Sequence, residues 1–207
     1  FYQAAKKDAE PGWGRLGKLA FHVHSGAVVG IIATMFSLLT NHYFEYNYVW
    51  QHSNTIMPMR YILACFWEGQ EGSFLLWTLW IIILAQIFMR SAKSWLNSNM
   101  TVISSVQVFL ASMLLGVYVL DFKLGSNPFI LLREHPDMIS LPFTKVADYA
   151  SKIDGKGLNP LLQNYWMIIH PPTLFLGFAS TLIPFSYAIS GFWKGQYNQW
   201  QKHALPW

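Results

Sequence analysis

Gly157-Leu158-Asn159-Pro160-Leu161-Leu162-Gln163-Asn164-Tyr165-Trp166-Met167-Ile168-Ile169-His170-Pro171-Pro172 is followed at once by a long apolar run. A proline disfavours helical geometry in the residue before it, so His170 is expected to be extended. Pro171 and Pro172 lack N–H groups, which costs nothing in a first helical turn, where those donors have no partner. On this reading a membrane helix begins at about Thr173. His170 then stands just outside its N-terminus, at the water–lipid boundary. A rigid mount and an imidazole at that boundary suit an axial metal ligand. They equally suit a helix start that happens to contain a histidine. Upstream, Asn159 is placed to cap a short helix whose first residue is Pro160. Leu161, Leu162, Tyr165 and Trp166 would give that helix an apolar side lying on the membrane surface.

The rest of the chain agrees with a membrane setting. Of its 207 residues 53% are hydrophobic and only 12% charged, against about a quarter charged in soluble domains. Ten Trp and ten Tyr fit aromatic belts at two interfaces. Four apolar spans are expected, at about 19–40, 73–89, 102–120 and 173–193, each near the roughly 20 residues that cross a bilayer core. Residues 1–18, with Lys6, Lys7, Arg15 and Lys18 beside Asp8 and Glu10, read as a cytoplasmic lead-in, and 19–207 as the membrane domain. Gly26 and Gly30 form a Gly-x-x-x-Gly pair that permits close helix contact. Two long loops, 41–71 and 121–165, separate the spans. Asn127-Pro128 and Asn159-Pro160 mark turns in the second loop. Pro184 interrupts the last span and frees the Ser180 carbonyl. Short segments rich in Lys and Arg (1–18, 90–100, 194–203) predict cytoplasmic termini for this stretch and two outer-face loops. His42, His52, Glu68, Glu71 and His170 would then share the outer side. The fold class is therefore all-α, a polytopic transmembrane helical bundle.

Most other chemistry is excluded. The net charge of +4 is spread out, with no basic stripe carrying interleaved aromatics, so nucleic acid is not an expected partner. Cys65 is the one cysteine, which rules out an internal disulfide and any CxxC motif. There is no Ser-His-Asp or Cys-His arrangement, no phosphate loop and no HExxH, so neither a hydrolase nor a kinase is supported. His22 and His24, two apart on a helix, face opposite sides and cannot grip one metal together. His42, His52, His135 and His203 read as interfacial or surface histidines. Glu68 and Glu71 stand at the head of the second span, where carboxylates complement a helix dipole. They are also placed to meet a cationic or hydrogen-bonding partner.

Four pieces of the chain carry a resemblance. Trp67-Glu68-Gly69-Gln70-Glu71-Gly72-Ser73-Phe74-Leu75-Leu76-Trp77 is similar to a W-G-x-H-E-G-S-x-L-L-W motif. Ser126-Asn127-Pro128-Phe129 matches S-N-P-F. Gly157 to Gln163 matches an L-N-P-L-L-Q segment. Ile169-His170-Pro171-Pro172 with Leu174, Phe175, Gly177 and Phe178 resembles I-H-P-P-x-L-Y-x-G-Y. In this order, over roughly residues 60–190, the chain resembles the CcmF/CcsA family of haem-handling membrane proteins of cytochrome c maturation, above all its CcmF and NrfE haem lyase subunits. Two departures stand out. Gln70 occupies the place of the family's histidine, and the family's Trp-rich haem platform is missing. The chain is expected to be an N-terminal part, with that platform beyond Trp207. The family's membrane-embedded haem ligands also lie later, and His22 and His24 do not correspond to them.

The resemblance implies a role in cytochrome c biogenesis at the bacterial cytoplasmic (inner) membrane. Haem, as haem b before attachment, would be held at the outer face and presented to an apocytochrome c carrying CxxCH. The chain would be a component of a haem lyase that forms thioether bonds, working with other cytochrome c maturation membrane proteins in the lipid bilayer. His170 would be an axial ligand of the haem iron, its partner histidine lying past residue 207. Glu68, Glu71, Asn159 and Gln163 would shape the site, and Pro171 and Pro172 would mount the ligand. Two other classes compete: a transporter or haem-export conduit, and a non-catalytic scaffold subunit of a respiratory assembly.

Overall fold

In a computed structural model the chain is described over residues 1–6, 10, 12–120, 122–140 and 142–207. Lys7 and Asp8 of the expected lead-in lie outside the described residues, as does the side chain of Lys93. Among the described residues the chain is all-α apart from one hairpin. In order it forms α1 (Gly12–Thr40), α2 (Asn47–His52), α3 (Met59–Glu68), α4 (Gln70–Ser91), α5 (Leu96–Ser112), β1 (Val117–Val119), β2 (Phe122–Leu124), α6 (Tyr165–Trp193) and α7 (Trp200–Ala204), with short 3-10 turns between. Helices α1, α4 and α6 are long and apolar enough to cross a membrane, and fewer than half the residues of each apolar window are buried. A helix apolar on nearly every side yet half-uncovered has its remaining surface for lipid. The protein is thus a polytopic helical membrane protein.

The span expected at 102–120 takes another form. Helix α5 is shifted toward the N-terminus and stops at Ser112. Gly116 (φ +61°) and Gly125 (φ +71°) then take left-handed backbone, which glycine adopts without steric cost. Between them β1 and β2 pair antiparallel, Val117 opposite Leu124 and Val119 opposite Phe122. The Ser126 N–H donates to the Met113 carbonyl at 2.9 Å, so the loop caps the end of the helix. Apolar content alone suggested a span; β-branched and aromatic residues flanked by turn glycines made a hairpin.

Two compact units are formed, one from Phe1–Val29, Trp77–Ala111 and Leu174–Trp207, the other from Gly30–Leu76 and Ser112–Thr173. Polar side chains tie the first unit together within its apolar setting. His24 Nε2 lies 3.0 Å from Gln107 Oε1, and Gln107 Nε2 donates to the Thr78 carbonyl at 3.3 Å. On the other face of α1, Gln86 Nε2 lies 3.1 Å from His22 Nδ1 and donates to Ser25 Oγ at 3.2 Å. His22 and His24 therefore point to different helices, as their spacing requires. Gly26 and Gly30 do not mediate the close contact their spacing permits: among the described residues nothing lies within 4 Å of a Cβ added at either.

The second unit joins the two long loops. The Leu132 N–H donates to the Glu45 carbonyl at 2.7 Å, and the Asn47 N–H to the Ile130 carbonyl at 3.0 Å. Helix α1 closes with a Schellman pattern, in which Tyr43 N–H bonds Leu38 O (3.1 Å) and His42 N–H bonds Leu39 O (3.3 Å). His42 fills the left-handed position there (φ 56°), where glycine is usual. The stretch 154–157 is strapped to the loop at 50–55. Lys156 N–H donates to Trp50 O (2.7 Å), and the Asp154 carboxylate accepts from the Thr55 hydroxyl (2.7 Å) and the Thr55 N–H (3.0 Å). These bonds, with one from the Gly155 N–H, outweigh the effect of burial and hold the Asp154 carboxyl below its usual range.

Candidate functional site

The decisive stretch leads from this strap into α6. Asn159 accepts from the Leu161 N–H at 3.0 Å and caps a 3-10 turn over Pro160–Leu162, as the sequence predicts. Gln163 Nε2 donates to the Leu158 carbonyl at 2.9 Å and closes the same turn. The expected surface helix goes no further. Tyr165 and Trp166 belong instead to α6, because Asn164 supplies a second cap: its Oδ1 accepts from the N–H groups of Trp166 (2.9 Å) and Met167 (3.3 Å).

His170 therefore lies inside α6, in its second turn, and not before it. Pro171 and Pro172 are interior helical residues. Each deprives a carbonyl four residues earlier of its donor, and those carbonyls belong to Met167 and Ile168. The Met167 carbonyl is re-satisfied from outside the helix. Trp67 Nε1–H donates to it at 2.8 Å, from one hundred residues away in sequence. This bond removes one of the two penalties that would otherwise end the helix before the prolines.

The Trp67 donor is set by the break between α3 and α4. The last carbonyls of α3 need partners. The Tyr48 hydroxyl donates to Phe66 O (2.8 Å), with Cys65 O 3.2 Å away, and the Ser73 hydroxyl donates to Trp67 O (2.8 Å). Two glycines make room. A Cβ on Gly69 would come 2.6 Å from the Tyr48 ring and 2.7 Å from His52 Nε2, and one on Gly72 would fall on the Phe66 carbonyl oxygen. Burial, reinforced by the Glu71 carboxylate, keeps the Tyr48 phenol protonated far above its usual range.

The two glutamates part company here. Glu68 ends α3 and pairs with His52 Nδ1, whereas Glu71 begins α4 and accepts from the Ser126 hydroxyl. His52 is thus not a solvated loop histidine. Its ring lies against Tyr48, with centroids 4.4 Å apart. Burial lowers its pKa to about 4, the Glu71 carboxylate pulling the other way. The neutral ring sits beside the Glu68 carboxylate. Cys65 is buried and hydrogen-bonded to backbone carbonyls of His52 and Tyr61. Burial pushes its thiol up to about 12.

His170 is not held in this way. Its side chain is exposed, and among the described residues no side chain or carbonyl bonds its imidazole. It borders an open pocket of about 340 Å3 lined by Leu162, Trp166, Met167 and Pro171, with Asn164 at the edge. Trp166 is 69% exposed, so an aromatic face and an available imidazole stand together. Glu68, Glu71, Asn159 and Gln163 are not in that lining; they fix the turns that carry it. The sequence does not single out Trp67 as a site residue, since nothing in its own neighbourhood points to a carbonyl one hundred residues on. No group of three or more His, Cys, Asp or Glu residues suited to a metal occurs among the described residues.

The fold and the site define a polytopic helical membrane protein with a histidine held on a proline-locked helical turn at a loop-rich end. The family described as cytochrome C assembly protein matches residues 67–206, and the chain belongs to it. Over 203 residues, 96% of the chain, it is 29% identical to the cytochrome c-type biogenesis protein CcmF of Haemophilus influenzae. It is 30% identical over 86% of its length to CycK of Rhizobium meliloti. It is 28% identical over 75% of its length to the probable cytochrome c-type biogenesis protein NrfE of Escherichia coli. The chain spans 28%, 24% and 24% of those relatives, about a quarter of their length. No solved structure matches it.

Proposed function

We propose that this chain serves cytochrome c biogenesis by holding haem, as substrate, at the outer face of the bacterial cytoplasmic membrane for transfer to apocytochrome c. One observation carries the reading. The His170 imidazole is exposed, has no hydrogen-bond partner among the described residues, and is mounted on a helical turn beside an apolar, aromatic pocket. Those residues fit one face of a porphyrin: Nε2 or Nδ1 for the iron, Trp166, Leu162 and Pro171 for the ring. Haem is bound as haem b, and its other ligand comes from outside this stretch.

The chain's own residues orient and shield. The helical mount fixes the imidazole, and Glu68, Glu71, Asn159 and Gln163 hold the turns around it. The reacting groups belong to the two substrates: a Cys S–H of CxxCH adds across a haem vinyl C=C, forming one C–S and one C–H bond with no net oxidation. Apocytochrome c and other maturation membrane proteins are the partners. The family and the lysine- and arginine-rich short segments support this placement, with the termini of the stretch cytoplasmic. The test is a reduced-minus-oxidised visible spectrum of the full-length protein, wild type beside His170→Ala. A haem signal that weakens or shifts in the variant is the expected result. An unchanged signal would remove His170 from the iron and leave the proline pair as a helix start alone.

A further inference from the structure

Trp193, the last residue of α6, stacks on Tyr2 with ring centroids 5.7 Å apart and planes inclined by 18°. Two pockets of the first unit adjoin at this pair. One, of about 510 Å3, mixes polar and apolar surface, and its charged lining residues are Lys6 and Lys194, with Ser98 and Gln196 beside them. No carboxylate among the described residues lines it. The other, of about 570 Å3, is a groove between Val102, Val106 and Phe109 of α5 and Phe185 and Ile189 of α6.

Among the described residues no carboxylate lines the pocket to neutralise the two cations. Lys194 Nζ donates to the Ser94 carbonyl at 2.9 Å and stands 5.0 Å over the Trp95 ring. Lys6 Nζ stands 5.0 Å over the Tyr2 ring. An ammonium has three donors, so both retain capacity for an anion. Burial lowers the Lys194 amine below its usual value. The groove runs from Thr101 to Phe109 and from Phe185 to Trp193, eight helical rises along each helix, which is ~12 Å at 1.5 Å per residue. One leaflet of the hydrocarbon core is ~15 Å deep. A cationic pocket thus caps an apolar groove of about one leaflet's depth.

We infer that this unit binds an anionic phospholipid, its phosphate between Lys6 and Lys194 and an acyl chain along the α5–α6 groove. Charge selects the lipid class. A zwitterionic headgroup brings its own cation to two lysines, whereas an anionic one does not. The groove selects a lipid over a soluble phosphate. Lys6 and Lys194 lie among the basic segments assigned to the cytoplasmic side, where anionic lipid attracts Lys and Arg.

The full-length protein, purified in detergent, is titrated with phosphatidylglycerol or phosphatidylcholine, and bound lipid is counted by native mass spectrometry. Phosphatidylglycerol is expected to bind about tenfold more tightly. The double variant Lys6→Gln/Lys194→Gln abolishes the difference, and Lys6→Arg/Lys194→Arg preserves it, which separates charge from folding. Val106→Trp fills the groove, leaves the lysines in place and weakens both lipids. Equal binding of the two lipids by the wild type, or an undiminished preference in the Gln variant, overturns the proposal. So does a groove occupied by a co-purifying protein that phosphatidylglycerol does not displace.

Discussion

Replacing Trp67 by Phe removes one hydrogen bond and keeps an aromatic ring in place. The bond matters because Pro171 has no N–H for the Met167 carbonyl, and the indole donates to it instead at 2.8 Å. Met167 is half-buried, so water restores the lost bond only in part. Leaving a buried acceptor unpaired costs about 1–3 kcal/mol. At about 1.4 kcal/mol per factor of ten, that is roughly a 5- to 150-fold rise in local opening of the first turns of α6. Hydrogen–deuterium exchange with mass spectrometry, on the full-length protein in detergent, reads this directly. Peptides reporting Ile168, Ile169 and His170 should exchange faster by that factor in Trp67→Phe, while peptides from α5 stay unchanged. The His170-dependent haem spectrum should broaden in the same variant, because a looser turn holds the ligand in more than one orientation. Unchanged exchange over 165–170 would refute the claim that the indole sustains the helix through the prolines. A uniform acceleration across the protein would show instead that Trp67 matters for packing at large.

The break between α3 and α4 and the buried thiol beside it give two more tests. Gly72→Ala places a methyl group on the Phe66 carbonyl oxygen, and the variant should fail to accumulate in membranes; Gly26→Ala, with open space around it, should express like wild type, and equal yields of the two would contradict the steric reading. Cys65, fully buried and pushed up to about 12, should resist iodoacetamide at pH 8 in the folded protein and react once detergent denatures it. The sign of the linkage follows: the unfolded thiol loses its proton near 9 and the folded one near 12, so stability declines as pH rises through that window. Rapid alkylation of the native protein at pH 8 would show the thiol to be accessible.

The sequence carried the three long spans, because an apolar run bounded by charges leaves few alternatives to a membrane helix. It carried the Asn159 cap and the divergence of His22 from His24, because each depends on spacing within one element. It did not carry the end of α5. There the hydrophobicity of residues 113–120 fits a span, whereas left-handed backbone at Gly116, Leu120 and Gly125 and the Ser126 bond to Met113 turn the chain back. Nor did it carry the partner of Glu68. The carboxylate is placed as if to complement the dipole of the next helix, yet Gly69 breaks the chain and turns it toward His52.

The placement of His170 shows why the site itself was half legible. A proline biases the residue before it away from helical geometry, and that bias is a cost of a few kcal/mol, not a prohibition. Asn164 supplies a cap six residues upstream of His170, and Trp67 supplies a donor to a freed carbonyl; together they offset enough of that cost for the helix to start early. The difference alters the chemistry available. A histidine in an extended lead-in swings with its loop, whereas one in a second helical turn has its side chain directed back toward the helix N-terminus. That is the direction in which Trp166 and Leu162 line the pocket. The Trp-Glu-Gly-Gln-Glu-Gly-Ser segment and the His-Pro-Pro segment, far apart in the chain, are therefore one device. The first ends a helix and supplies an indole donor, and the second uses that indole to carry a histidine on a helix that two prolines would otherwise have ended.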